Sequence, residues 1–261
     1  MKELLTRSFF GLLYVLAVFF ALMNYHSAFI LLGLFLAIGL FEFSKLIKMP
    51  FKTILLPALF IFLSVYLTFH PEKIDEKVLK ISYAFSLFTL FTPFIYFIFD
   101  KISVDILAKF YLGIFYLAIP FSIALSIDAK LLLAIFVIIW SSDSFAYLAG
   151  KNFGKHKLAE KISPKKTIEG LAGGMAGSII VAFLLHKYTD FVTNLSLINF
   201  ILLALIIVIF GTLGDLLESK FKRQAGVKDS GNIIPGHGGI LDRLDSFILA
   251  VPFVYIFLKL I

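Results

Sequence analysis

Two aspartates near the end of the chain have a spacing that favours metal binding. Asp242 and Asp245 lie three positions apart in GILDRLDSF, so a helix that begins after Gly239 places both carboxylates on one face. Like charges on one face repel, and the repulsion grows where screening water is scarce. Carboxylates, waters and substrate phosphates are the ligands that Mg²⁺ takes, so the sequence predicts one or two Mg²⁺ ions here. The alternative is a solvated loop whose acids are balanced by Arg243 and Lys228.

Two further acids follow long apolar runs. Asp143 stands in IIWSSDSFAYLAG and Asp215 in FGTLGDLLESK. An acid at the centre of a membrane helix costs about 2.5–3.5 kcal/mol, so each is a candidate functional residue. The span of Asp143 has a polar face, which is expected to point into the helix bundle or a wet cavity. The alternative for each is an acid hydrated at the membrane interface. The predicted metal ligands are Asp215, Asp242 and Asp245, with Asp229 as a further candidate.

A lysine-rich segment, residues 150–170, combines two anion-binding features. Ser163 and Pro164 are typical of a helix N-cap and first helical residue, so Lys165 and Lys166 are expected in the first turn. Free backbone N–H groups and two ammoniums at a helix start form a phosphate site. The alternative is that these lysines only set the topology and contact lipid headgroups.

Glycines suggest two further features. Gly238 and Gly239 flank His237 in a turn that can wrap a phosphate or a sugar, since glycine allows positive φ and close backbone approach. His237 can contact a phosphate, ligate a metal or cap the turn, and its residue type does not decide among these roles. Close helix packing is predicted for the small-residue spacing of Gly170, Gly173, Gly174 and Gly177.

Membrane helices are the elements that must position these groups. The chain has 60% hydrophobic and 16% charged residues, whereas soluble domains carry about 25% charged residues. Since about 20 apolar residues cross a bilayer, the sequence predicts an all-α, polytopic membrane protein with about nine transmembrane helices. The apolar runs are 8–23, 28–41, 54–69, 81–99, 106–127, 131–150, 167–186, 195–217 and 244–261. We expect one domain over residues 1–261, with the catalytic elements in 140–250.

The distribution of Lys and Arg residues predicts the orientation of the chain in the membrane. With nine spans, most of the 24 Lys and Arg residues fall on one side, and positive residues stay inside. The N-terminus is therefore expected in the cytoplasm, the C-terminus outside, and the site on the cytoplasmic face of the inner membrane. The net charge of +7 is accounted for by membrane topology, so no nucleic-acid partner is expected. The absence of Cys excludes disulfides, thiolate metal sites and a Cys nucleophile.

One long segment near the end of the chain resembles a family signature. The segment SKFKRQAGVKDSGNIIPGHGGILDRLD, residues 219–245, resembles the signature of the phosphatidate cytidylyltransferases, also called CDP-diacylglycerol synthases. SPKKTIEG resembles an upstream element of the same family, and the resemblance covers 143–246. The first half of the chain matches only as a series of hydrophobic spans. The filled signature positions are Ser219, Lys222, Arg223, Lys228, Asp229, Pro235, His237, Gly238, Gly239, Asp242, Arg243 and Asp245.

The resemblance implies an integral-membrane enzyme that joins CTP to phosphatidate, requires Mg²⁺, and forms CDP-diacylglycerol and pyrophosphate. Asp215, Asp242 and Asp245 are then expected at the metal, and Asp143 is expected to complete the polar cavity. Ser219 and Glu169 match the family pattern without a physical role that we can assign; Ser219 is grouped with the substrate-binding residues. The cations expected to bind phosphates of CTP or of the lipid are Lys165, Lys166, Lys222, Arg223, Lys228 and Arg243.

Two alternatives are kept. A CTP-dependent lipid kinase, such as a polyprenol kinase, would release CDP instead of pyrophosphate. A cation-coupled transporter would use Asp143 and Asp215 along an ion path. The acyl-chain preference and the participation of a monovalent cation are left open, and glycine-rich helix faces would permit a homodimer.

Overall fold

The computed structural model describes residues 2–69, 75–236 and 238–261, with side chains described from residue 6 onward except at residue 7. Helices dominate this part of the chain. They are α1 Lys2–Ala21, α2 Tyr25–Leu46, α3 Phe51–Phe69, α4 Glu76–Ile98, α5 Val104–Gly113, α6 Ile119–Ala124, α7 Ala129–Phe153, α8 Ile168–Tyr188, α9 Leu197–Gln224 and α10 Leu241–Leu260. A π-helical turn, Ile114–Ala118, joins α5 to α6 into one continuous segment.

The all-α, polytopic membrane fold is confirmed. Seven helical segments within the described residues are long and apolar enough to span a bilayer, with Val104–Ala124 counted as one. α10 has comparable length but carries Asp242, Arg243, Asp245 and Lys259. The number of nine spans and the orientation of the termini stay predictions.

α10 lies inside the bundle and is held by aromatic packing. Its Phe247 stacks on Phe136 of α7 with ring centroids 4.7 Å apart and also packs against Phe121 of α6 at 5.8 Å. All three rings are at most 1% exposed. The start of α10, which carries Asp242 and Asp245, is therefore attached to a rigid core element.

The predicted helix start at Ser163 is wrong. Residues Ser163–Thr167 form a strand, β2, that pairs antiparallel with β1, Lys157–Ala159. Helix α8 begins at Ile168, where the hydroxyl of the N-cap Thr167 accepts a hydrogen bond from Gly170 N at 3.1 Å. Pro164 favours an extended residue before it, and pairing with β1 satisfies backbone groups that a helical turn would otherwise satisfy. The β1–β2 hairpin thus carries the two lysines predicted for the first turn of the helix.

Small residues bring α7 and α8 together, as the glycine spacing predicted. A Cβ atom at Gly174 would lie 3.1 Å from Ser142 O, and one at Gly170 would lie 3.4 Å from Gly150 Cα. Backbones that approach this closely pack well in a bilayer, where apolar burial alone does not drive helix association. This packing fixes the position of Asp143 on α7, next to the start of α8.

A similar contact joins α9 to α10 at Gly214. A Cβ atom there would lie 3.2 Å from the carbonyl carbon of Asp245 and 3.1 Å from Leu249 Cβ. We expect Gly214→Ala to lower the free energy of unfolding by about 1–3 kcal/mol, because the two backbones must separate. Thermal unfolding in detergent micelles measures the loss. Gly39→Ala is the matched control, since its Cβ atom would lie at an ordinary 3.7 Å from Leu117 Cδ2; equal melting of both variants would contradict the prediction.

Candidate active site

The predicted site residues gather at one end of the bundle. The C-terminal parts of α2, α7 and α9 meet the N-terminal parts of α1, α8 and α10 there. Contacts between distant segments show this directly: Leu241 N donates to Glu42 Oε2 at 2.8 Å, and Lys166 Nζ lies 2.5 Å from Asp215 Oδ2. Ionisable groups from both halves of the chain therefore share one polar region.

Asp215 is held by two partners. Its Oδ2 pairs with Lys166 of the hairpin, and its Oδ1 accepts a hydrogen bond from Ser219 Oγ at 3.2 Å. The side chains of Lys166 and Asp215 remain 27% and 28% exposed. The hairpin is thus tied to α9 by an ion pair that substrate phosphates can reach and replace.

Lys222 lies between two buried carboxylates. Its Nζ is 2.6 Å from Asp242 Oδ1 and 2.5 Å from Glu218 Oε2, and the three side chains are at most 10% exposed. The other oxygen of Asp242 accepts from Ser230 N at 2.9 Å, Ser230 Oγ at 3.0 Å and Gly239 N at 2.8 Å. Both oxygens of Asp242 therefore have protein partners, and Lys222 joins α9 to α10.

Asp143 and Asp245 have free oxygens, that is, oxygens without a partner among the described residues. Asp245 Oδ1 accepts from Ser246 N at 2.6 Å, whereas its Oδ2 makes no hydrogen bond with a described residue. Asp143 makes neither a hydrogen bond nor an ion pair with any residue in the described ranges. These two carboxylates and that of Asp215 lie close enough for their charges to interact. The free oxygens of Asp143 and Asp245, together with the nearby charge of Asp215, attract a cation.

The donor set can be tested for Mg²⁺. Among the described residues, no three acidic or histidine side chains surround a single point in a metal-binding arrangement. Mg²⁺, however, usually takes one or two carboxylates and completes its shell with waters and substrate phosphates. The free oxygens of Asp143 and Asp245, beside Asp215, fit that requirement, whereas the oxygens of Asp242 are already bonded. Metal binding by Asp215, Asp229, Asp242 and Asp245 stays a prediction.

Two cavities meet at Asp143. The hairpin cavity, about 480 Å³, lies between the hairpin and helices α7, α8 and α9. The α1 cavity, about 270 Å³, lies between α1, α7 and α10, with Tyr14, Trp140, Arg243 and Asp245 in its wall. Asp143 borders both. The cations that line the hairpin cavity are Lys151, Lys157, Lys165 and Lys166.

A third cavity lies beside the loop between α9 and α10, residues 225–240, which we call the signature loop. This loop cavity, about 560 Å³, is lined by Lys228, Asp229, Gly238 and Arg243. Because Arg243 also borders the α1 cavity, the three spaces adjoin in a row. Gly238 has φ +85°, which confirms the expectation of a positive φ in this turn. His237 lies outside the described residues.

Other predicted residues have local roles. Arg223 is exposed and donates from Nη1 to Val227 O at 3.0 Å, at the end of α9. Glu169 accepts from Lys155 N at 3.1 Å and from His156 Nδ1 at 2.6 Å. Glu169 therefore holds the segment that leads into the hairpin, a role that the residue type alone did not suggest.

Sequence reasoning missed Glu42 and Glu218. Both are nearly or fully buried, at 2% and 0% exposure. The signal that singled out Asp143, an acid within an apolar run, was also present in LFEFSKL around Glu42. Lys45 and Lys48 follow within one to two turns, and basic residues at this distance are also typical of a membrane interface.

Comparison with known proteins gives the family. The Cytidylyltransferase family matches residues 5–261. A protein of Bacillus subtilis (strain 168) named phosphatidate cytidylyltransferase is 40% identical over 240 residues, 86% of this chain and 86% of that protein. Proteins of the same name from Staphylococcus haemolyticus and Haemophilus influenzae are 52% and 48% identical over 47% of this chain, and the matches span 46% and 43% of those proteins. With a match over nearly its whole length, this membrane protein belongs to the cytidylyltransferase family of nucleotide-transferring enzymes, as its signature predicted.

Proposed function

We propose that this chain transfers the cytidylyl group of CTP to phosphatidate, forming CDP-diacylglycerol and releasing pyrophosphate. The observation that carries the proposal is the position of Asp143, which borders both a lysine-lined cavity and a second cavity against α1. Two polyanions can enter from different sides and meet beside carboxylates with free oxygens. The names of the relatives favour CTP and phosphatidate as these polyanions.

The reaction is an in-line displacement. An oxygen of the phosphatidate phosphate attacks the α-phosphorus of CTP, and the bond to the bridging oxygen breaks as pyrophosphate leaves. A phosphomonoester has its second pKa near 6, so the attacking group is largely dianionic at neutral pH and needs no strong general base. The main task of the protein is to bring two polyanions together and to stabilise charge on the leaving group.

The chain divides this task among its charged residues. Lysines of the hairpin cavity, and Arg243 and Lys228 of the loop cavity, bind phosphate oxygens and orient the reactants. Asp143 and Asp245 would hold Mg²⁺, and Asp215 would join them when a substrate phosphate replaces it beside Lys166. The ion would neutralise developing phosphate charge. Lys222 keeps Asp242 and Glu218 in place, because its ammonium is already paired with both.

We propose that this site faces the cytoplasm at the inner membrane. The lysine-rich segment, residues 150–170, and the basic end of α9 lie beside the helix ends that form this site. Positive residues are retained on the cytoplasmic side, and that side supplies soluble CTP and Mg²⁺.

The activity is tested with purified protein in detergent micelles. With CTP labelled at the α-phosphate and with phosphatidate, we expect label in a lipid-extractable product, stoichiometric release of pyrophosphate, and full inhibition by EDTA. Diacylglycerol, which lacks the attacking phosphate, is the control substrate and should give no labelled lipid. Release of CDP with phosphorylation of a polyprenol would instead support the kinase, and cation flux without CTP turnover would support the transporter.

A further inference from the structure

We infer that Glu42, on α2 in the first half of the chain, is a positioning residue for the active site. Its carboxylate holds the start of α10 and the signature loop together, and thereby fixes where Asp242 and Asp245 lie. The functional part of this inference rests on the proposed cytidylyl transfer; the structural part does not.

The carboxylate of Glu42 has three long-range hydrogen-bond partners. Leu241 N donates to Oε2 at 2.8 Å and Ile240 N donates to Oε1 at 3.2 Å. Ser230 Oγ lies 3.1 Å from Oε2 and shares its one proton between Glu42 and Asp242. Glu42 is 2% exposed and has no Lys or Arg partner among the described residues. A buried charge is tolerated only when it is well hydrogen-bonded, so these donors are necessary partners rather than incidental neighbours.

α10 needs this external cap. The first N–H groups of a helix have no partner within it, and the N-cap residue of α10, Ile240, has no side chain that can accept a hydrogen bond. Asp242 Oδ2 accepts a hydrogen bond from Gly239 N, and Glu42 accepts the hydrogen bonds of the Ile240 and Leu241 N–H groups. A negative group at a helix N-terminus also interacts favourably with the helix dipole.

The signature loop is shaped around the same carboxylate. A Cβ atom at Gly239 would lie 2.6 Å from Glu42 Oε1, and one at Gly231 would lie 2.9 Å from Glu42 Cδ. The Ser230 hydroxyl lies between the two acids, 3.1 Å from Glu42 Oε2 and 3.0 Å from Asp242 Oδ2. A side chain at either glycine would displace the Glu42 carboxylate from its present position.

The consequence for catalysis is geometric. Glu42 lines none of the three cavities, but α10 carries Asp242, Arg243 and Asp245 within its first turns. Without the cap, the start of α10 can fray or shift. Because a displacement of about 1 Å can cost about 10²-fold in rate, loss of Glu42 should act on kcat more than on KM.

The experiment compares Glu42→Ala and Glu42→Gln with Ser44→Ala. Ser44 is similarly buried on the same helix, but among the described residues its hydroxyl bonds only to Phe41 O of its own helix. We expect Glu42→Ala to lower kcat per folded protein by about 10²-fold with KM changed much less. The amide oxygen of Gln can still accept one N–H, so Glu42→Gln should recover part of the loss, and Ser44→Ala should match the wild type.

A second readout separates this inference from the proposed function. Hydrogen–deuterium exchange at Ile240 and Leu241 should be faster in Glu42→Ala than in the wild type, whatever reaction the protein catalyses. An inactive wild type would refute the proposed function alone, and exchange would then decide the capping role. If Glu42→Ala does not fold, Glu42→Gln decides by the same two measurements. Wild-type kcat per folded protein, or unchanged exchange, would overturn the inference.

Discussion

Asp245→Asn is expected to abolish nearly all cytidylyl transfer while leaving the fold intact. Even residues that only support metal ligands cost about 10–100-fold when replaced, so loss of a carboxylate with a free oxygen should lower kcat by at least about 100-fold. The asparagine oxygen can still accept from Ser246 N, as Asp245 Oδ1 does at 2.6 Å. The local backbone contact therefore survives the change.

The same substitution should not weaken the protein. The charge of Asp245 repels those of Asp215 and Asp143, and asparagine removes that repulsion. We therefore expect the unfolding temperature in micelles without Mg²⁺ to equal or exceed that of the wild type. Low activity together with an undiminished unfolding temperature distinguishes a functional role from a structural one.

The control for this experiment is Asp105→Asn on α5. Asp105 forms an exposed ion pair with Lys109 at 2.6 Å, and such surface pairs contribute about 0–1 kcal/mol. The reaction rate and the unfolding temperature of the Asp105→Asn variant should therefore stay near the wild-type values. A near-normal rate in Asp245→Asn would remove Asp245 from the proposed metal site.

Among the variants considered, Lys222→Met is expected to lower the free energy of unfolding the most. It leaves the carboxylates of Glu218 and Asp242, which are 0% and 6% exposed, without their shared ammonium. Breaking a buried ion pair by removing one partner costs about 3–5 kcal/mol, because an uncompensated charge stays buried. Unfolding in mixed micelles with increasing denaturing detergent measures this free energy.

Two further variants sharpen the test. Lys220→Met removes an exposed lysine two positions away and should have little effect. Combining Lys222→Met with Glu218→Gln removes one of the stranded charges, so the double variant should recover part of the loss. If Lys222→Met unfolds like Lys220→Met, the ion pairs do not hold α9 to α10.

The predictable part of the fold followed from composition and periodicity. Apolar runs of about 20 residues predicted the helices, because a bilayer requires internally bonded segments of that length. The spacing of Asp242 and Asp245 predicted that both belong to one helix start, and α10 begins at Leu241. The prediction of a helix start at Ser163 failed. Its backbone groups pair with a strand that begins six residues earlier, so no helix cap is needed there.

The candidate site was predictable as a set of residues but not as a network. Asp143, Asp215 and the signature residues were identified by acids in apolar runs and by a family pattern. Their partners were not: Lys166 pairs with Asp215, and Lys222 lies between Glu218 and Asp242. The residue types in a sequence indicate which ion pairs are chemically possible. The distances in the folded chain decide which of these ion pairs form.

By itself, the sequence determined the membrane class, the family and the segments that carry charge, because these depend on local composition and on a motif of neighbouring residues. Only the tertiary structure decided which acids keep oxygens without a partner in the described part of the chain and which are neutralised by cations. It also placed Glu42 of α2 at the start of α10, about 200 positions away in the chain. The physical reason is that hydrogen bonds and ion pairs act over about 3 Å, and helix packing alone brings residues so distant in sequence within that range.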